Sequence, residues 1–170
     1  MKEVLKTLND LVADGVIENY ALGGAIASFF YAEPATTDDL DVFIFLPKTN
    51  NSLNLIDLRP LYQALENKGY TALKEHVIIG GIPVQFLPAY NLLVEEGVKE
   101  ALQKDYEGIP VKVVRIEHLL AIMVQTNRAK DKARIGKLME EGIKFDQTKL
   151  SQILTCHGLQ KKWEKIIEAN

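Results

Sequence analysis

The sequence is poor in the residues that would announce a disulfide scaffold, a zinc centre or a membrane span. Its one cysteine, Cys156, excludes an intrachain disulfide, and no cluster with zinc-site spacing exists. Cys156 reads as a small half-buried residue. His76, His118 and His157 are far apart and lack metal spacing, so capping or packing is expected of them. No Ser-His-Asp or Cys-His arrangement can be argued. Neither sign of charge dominates: 20 basic and 23 acidic residues leave a formal net charge of −3. A global basic field for nucleic acid is therefore excluded, although a local patch is not. No apolar run approaches the roughly 20 residues of a membrane span. The opening MKEVLKTLNDLVADG mixes acids and lysines with its apolar residues, unlike a signal peptide. A cytoplasmic location with no membrane partner is expected. Internal repeats, low-complexity segments and Pro/Gly/Ser-rich linkers are also missing.

What is present is a chain of 170 residues, 47% hydrophobic, enough for one domain with a real core. Val4, Leu5, Leu8, Leu11 and Val12 have helical spacing, with Gly15 as a stop. IENYAL reads as a short strand broken by Gly23-Gly24, and AIASFFYA as a buried helix ended by Pro34. ATTDD is polar, and LDVFIFL is an apolar strand. A loop over 48–54 precedes a helix over 55–68 that ends at Gly69. TALKEHVIIG and GIPVQFLPA read as two strands joined in a hairpin at Gly80-Gly81. A helix is expected over 91–104, a strand at IPVKVVR, and helices from Glu117 onward with breaks at Asn127, Gly142 and Gly158. Strands alternating with helices imply an α/β (α+β) fold, a mixed sheet flanked by helices with a C-terminal helical extension. The composition shift near Glu117 divides a core, 1–116, from an extension, 117–170, packed on it.

The informative string is YALGGAIASFFYAEPATTDDLDVFIFL. A strand runs into Gly23-Gly24 and a helix starts at once, so the backbone can approach a ligand closely. Unpaired N–H groups and the positive end of the helix dipole then make a phosphate seat. Asp39 and Asp41, two apart in a strand, present two carboxylates on one face. Such a pair suits Mg²⁺, which takes one or two carboxylates plus substrate phosphates. Alone the pair is weak evidence: 23 acids among 170 residues give an acid-x-acid triplet roughly three times by chance, and Asp105 and Glu107 form another.

In order, strand, Gly-Gly, helix, Thr-x-Asp-x-Asp and apolar strand resemble the nucleotidyltransferase superfamily. The resemblance implies that Gly23, Gly24 and Thr37 hold a triphosphate. It also implies that Asp39 and Asp41 bind Mg²⁺ (or Mn²⁺) and are catalytic. VVRIEHLLAIMVQTNRAKDKARIGKL is similar to the helical segment of the AbiEii-type nucleotidyltransferase toxins. That likeness adds Arg128 and Lys130 to the nucleotide-binding set and raises an antitoxin protein as a partner. It spans roughly residues 18–140 and is specific at the glycine and aspartate motifs.

The sequence also departs from that pattern. Gln85 stands at the third-carboxylate position, and an amide cannot serve as general base. Glu75, on the preceding stretch, is a candidate substitute. Met123 stands where the toxin-like group often has lysine and is expected to pack in the core, while Ala35 stands where an arginine is often found. Three readings follow: an Mg-NTP-dependent enzyme acting on a hydroxyl of RNA, protein or a small molecule; a degraded module that binds nucleotide or a partner without turnover; and an interaction protein whose motifs are accidental. A valine at Gly23 is expected to spare the fold while blocking the phosphate seat.

Overall fold

The structure, a computed structural model, describes residues 1–32, 39–47 and 56–169. Thr37 and Ala35, the loop at 48–54 and the first residue of the helix expected over 55–68 lie outside those residues. Fifteen elements follow in order among the described residues: α1 (Lys2–Ala13), β1 (Asn19–Leu22), α2 (Gly24–Phe29), β2 (Leu40–Phe45), α3 (Arg59–Asn67), β3 (Thr71–Leu73), β4 (His76–Ile79), β5 (Ile82–Pro88), α4 (Leu92–Lys99), β6 (Leu102–Tyr106), β7 (Ile109–Val113), α5 (Ile116–Thr126), α6 (Ala129–Glu140), α7 (Gln147–Cys156) and α8 (Gln160–Glu168).

The seven strands form one mixed sheet in the order β3-β4-β5-β2-β1-β7-β6. β2 lies near its centre, antiparallel to β1 and parallel to β5. Its alternation divides the sheet. Leu40, Val42 and Ile44 are fully buried on the face shared with Tyr20, whose hydroxyl donates to Asn9 Oδ1 of α1 at 2.8 Å. Asp41 and Phe43 face the other way, toward α5. α5 itself is buried from Ile116 through Val124, which is why its sequence is almost continuously apolar. Left-handed Asn127 (φ 55°) stops it, and α6 starts from Arg128.

Three expectations need correction. The helix expected over 91–104 ends at Lys99, and Leu102–Tyr106 is an edge strand paired with β7, Leu102 opposite Val113 and Tyr106 opposite Ile109. Leu102, Ala101 and Val98 fit helical spacing, but the two-residue turn at Glu107-Gly108, both with positive φ, closes a hairpin whose pairing overrides local propensity. The acid-x-acid pair there is structural, since Asp105 Oδ1 accepts from Gly108 N at 2.9 Å. The stretch TALKEHVIIG is likewise two strands, because Lys74 adopts φ 56° and Leu73 pairs with His76 across a tight turn. Cys156 is exposed rather than half-buried, at the last residue of α7. The hairpin at Gly80-Gly81 and the breaks at Asn127, Gly142 and Gly158 are where the sequence puts them. Trp163 of α8 packs against the core as expected.

Candidate active site

β1 delivers the chain to Gly23, whose N–H donates to Asp41 O at 2.9 Å. That bond locks the glycine turn onto β2. Gly24 follows with φ +55°, a conformation that favours glycine, and a Cβ there would overlap the Asp41 carboxylate at Oδ2. The backbone of the turn therefore lies directly against the aspartate. Gly23 has an ordinary φ of −118°, but its missing Cβ makes room for the Phe43 ring, which a Cβ would overlap, with Cδ2 at 2.9 Å. Phe43 is buried in the core. The expectation that Gly23→Val spares the fold is thereby overturned: the side chain must displace a core ring, a disturbance of about 1–3 kcal/mol. A thermal melt of the apo variant checks this.

Asp41 and Gln85 are direct neighbours across the parallel β2/β5 pair. Val84 and Phe86 point into the core, as apolar neighbours of a site residue should. β4 runs antiparallel to β5 with Val77 opposite Val84, so the next residue, His76, comes opposite Gln85. His76 Nε2 is buried with no hydrogen-bond partner among the described residues, 3.6 Å from Asp39 Oδ2. Glu75 is exposed in the turn before it and lies outside the pocket around Asp41.

Asp41 is the electrostatic focus. Burial pushes its carboxyl above the ordinary aspartate range, and neighbouring Asp39 pushes it further; Lys130, Arg128 and Arg134 oppose both. Because the folded value is raised, the ionised form is penalised. That penalty is absent at acid pH and appears as pH rises from the ordinary aspartate value through the raised one. Asp41→Asn should therefore stabilise the ligand-free protein at neutral pH, with the gain fading toward pH 4. Melting temperatures of parent and variant across that range check it, and a gain independent of pH contradicts it.

The opposite wall comes from α5 and α6. Arg128 donates to Asp131 through Nε (2.6 Å to Oδ2) and Nη2 (3.1 Å to Oδ1). Thr126 Oγ1 donates to Oδ2 at 2.6 Å, and Arg134 Nη1 stands 3.8 Å from Oδ1. Asp131 is fully buried. Burial would raise its carboxyl, but the hydrogen bonds from Arg128 and Thr126 outweigh that and hold it below the usual range. Lys130 is exposed and acts on Asp41 only through its charge. Met123 is almost wholly buried and lines the same pocket as Asp41, Gln85 and Arg128.

Tertiary structure thus brings together Gly24, Asp41, Gln85 and Arg128 around one pocket of about 250 Å³. Asp39 adjoins it along β2, and Gly23 backs it through the Phe43 ring. A larger cavity, about 660 Å³, lies between α6, α7 and α8 and includes Phe145 and Trp163 but none of these residues. The smaller pocket holds the charged groups and the Gly24 turn, which makes it the candidate site.

No family model matches the chain, and no curated protein matches it by sequence. Solved structures do share its architecture. An antigenic nucleotidyltransferase-like protein from Paracoccidioides brasiliensis superposes with a TM-score of 0.50 at 15% identity, covering 99% of this chain and 94% of that one. ANT(2″)-Ia, in complex with adenylyl-2″-tobramycin, gives 0.51 at 16% identity, covering 98% of this chain and 94% of its own. The fold is a nucleotidyltransferase fold.

Three further residues stand at or beside this pocket without a local sequence pattern to place them there: His76, Asp131 and Tyr90. His76 was legible only through the β4/β5 register, because its neighbours in sequence say nothing of Asp39. Asp131 is visible as part of Lys-Asp, but its burial beneath Arg128 depends on how α5 and α6 meet. Tyr90 gives no signal at all, since it belongs to no periodic pattern. Among the described residues, no group of three His, Cys, Asp or Glu side chains is arranged to hold a metal ion. The candidate metal ligands are the two carboxylates of the sequence motif, Asp39 and Asp41.

Proposed function

We propose that the chain binds an Mg-nucleoside triphosphate at Asp39, Asp41, Gly24 and Arg128 and transfers a nucleoside monophosphate to a hydroxyl acceptor. The observation that carries this reading is the half-buried Asp41 carboxylate, pressed against the Gly24 backbone and destabilised by Asp39. Two carboxylates fit Mg²⁺ or Mn²⁺, which relieves their repulsion and fills its remaining positions with water and phosphate oxygens. A bound ion would neutralise the triphosphate and stabilise charge on the attacking and leaving oxygens. Of the five guanidinium donors of Arg128, two are on Asp131, which leaves the others for phosphate among the described residues. Lys130 adds a mobile positive charge at the rim, and the first amides of α2 face the triphosphate. Thr37 belongs to this set by the resemblance.

In the reaction the acceptor oxygen bonds to the α-phosphorus, the bond to the leaving pyrophosphate breaks, and the hydroxyl proton must depart. Gln85 cannot take that proton. With water as the acceptor, turnover is slow, and this favours the second reading, nucleotide binding without transfer. Gln85→Asp separates the two. A third carboxylate beside Asp41 should tighten Mg²⁺ binding by about tenfold, near 1.4 kcal/mol, and lower the metal-free melting temperature. Calorimetry and melts with and without Mg²⁺ measure both. If neither moves, Gln85 plays no part in the site.

The direct test is NTP binding with and without Mg²⁺ in the parent, Asp39→Asn and Asp41→Asn. At a hundredfold excess of ligand over Kd the parent gains about 2.7 kcal/mol of stability, and each variant should lose most of it. Transfer of a radiolabelled α-phosphate into RNA, protein or a small molecule identifies the acceptor. The likeness of Arg128, Lys130 and Asp131 to AbiEii-type toxins supports testing an antitoxin-like partner by co-purification. Among the described residues no helix is long and apolar enough to cross a membrane.

A further inference from the structure

We propose that the site pocket seats a nucleobase, stacked on the ring of Tyr90. This rests on the Mg-triphosphate reading and adds what lies beyond the phosphates. The pocket is amphipathic. Asp41, Gln85, Thr126, Arg128 and Asp131 line it together with Phe43, Leu87, Leu119, Ile122 and Met123. The apolar part of that lining gives nothing to phosphate, which would lose its hydration there without replacement. At about 250 Å³ the pocket falls below the roughly 300–1,000 Å³ of sites that enclose a whole drug-sized ligand. It fits a ring-sized part of a ligand whose charged remainder lies outside, over the carboxylates.

Tyr90 supplies the stacking surface. It is a large aromatic left 53% exposed, yet it lines this pocket. Its backbone is fixed on both sides. Ala89 N donates to Ile44 O at 3.0 Å, and Asn91 Nδ2 donates to Gln125 Oε1 at 2.8 Å while its Oδ1 accepts from Val94 N at 3.0 Å. A ring held on pinned backbone loses little freedom when a base lands on it. The phenol sits within the field of the site: burial raises it, Arg128 lowers it, and Asp131 and Asp41 raise it. The ring therefore stands within reach of the charges that would hold the phosphates. Met123 contributes a soft, polarisable floor, where a lysine would have set a charge beneath the base.

A nucleobase can come from the NTP itself or from an RNA acceptor, and one experiment separates these sources. The full-length chain is titrated in Mg²⁺ with the four α,β-methylene NTPs, with inorganic tripolyphosphate and with a single-stranded RNA hexamer. Tyr90→Ala should weaken the tightest NTP analogue by about 5- to 150-fold, as loss of an aromatic stack does, and Tyr90→Phe by less than about threefold. Tripolyphosphate should bind parent and both variants alike. If Tyr90→Ala weakens only the hexamer, the seated base is the acceptor's and the stacking assignment stands. If it weakens neither, the assignment is overturned. Tripolyphosphate binding that is indifferent to Asp41→Asn instead overturns the triphosphate reading, whatever Tyr90 does. Failure of all three probes to bind the parent overturns both.

Discussion

Asp131→Ala should cost about 2–4 kcal/mol of stability, among the largest losses expected from a single side chain here. The carboxylate is fully buried, with Arg128 and Thr126 hydrogen-bonded to it and Arg134 close by. Arg128 is half exposed and can turn to water, whereas Thr126 and the largely covered Arg134 lose their partner. Asp131→Asn keeps the shape but loses the charge, and should cost about 1.5–3 kcal/mol, the worth of hydrogen bonds to charged groups. The pH dependence follows from the sign of the shift. The folded-state value is lowered, so the stabilisation is fully present above the ordinary aspartate value and is lost as pH falls through the lowered one. The stability gap between parent and Asp131→Ala should therefore narrow in acid, opposite in origin to the relief of Asp41 in the same range. Denaturant unfolding at neutral and acid pH measures both. A gap below about 1 kcal/mol at neutral pH would show that the carboxylate is not the anchor of α6. Arg128, freed from Asp131, should also lose its fixed aim at the pocket, and Mg-NTP affinity should drop in any variant that still folds.

Gly24→Ala should damage the fold and the site together. Positive φ costs an alanine about 1–2 kcal/mol, and overlap of its Cβ with the Asp41 carboxylate adds about 1–3 kcal/mol, for a total of about 2–5 kcal/mol. Mg-NTP binding should vanish, because Asp41 must rotate away from the backbone it lies against. The two contributions are separable. In an Asp41→Ala background the carboxylate is gone, and Gly24→Ala should then cost only the φ contribution. The coupling energy from that double-mutant cycle measures the contact directly. Strict additivity would mean that Gly24 and Asp41 do not meet.

These residues also show how far the sequence reaches. Gly23-Gly24 and Asp39-x-Asp41 were legible because each is a local pattern: a turn that needs no Cβ, and two residues on one face of a strand. The roles of the two glycines were not equally legible. The local pattern alone makes Gly23 a ligand contact, whereas its empty Cβ position is taken by Phe43, a residue twenty places away in the chain. The juxtaposition of Gln85 and Asp41 needed a parallel pairing across 44 residues, for which periodicity offers no guide beyond the choice of face. Helix α4 was read too long for the same reason: the apolar spacing of Val98, Ala101 and Leu102 is compatible with a helix, and only pairing with β7 decides for a strand.

By itself the sequence determined the mixed α/β class, the principal apolar strands, the helix breaks at Asn127, Gly142 and Gly158, and the face of β2 that carries the two aspartates. All of these follow from short-range rules: apolar period, positive φ, and alternation along a strand. Only the tertiary structure decided that Asp131 is a buried anchor, that His76 stands beside Asp39, that Tyr90 overhangs the pocket and that Met123 lines it. Those facts depend on which elements pack together. Packing is set by the sum of many weak contacts over the whole core, and no one segment carries it.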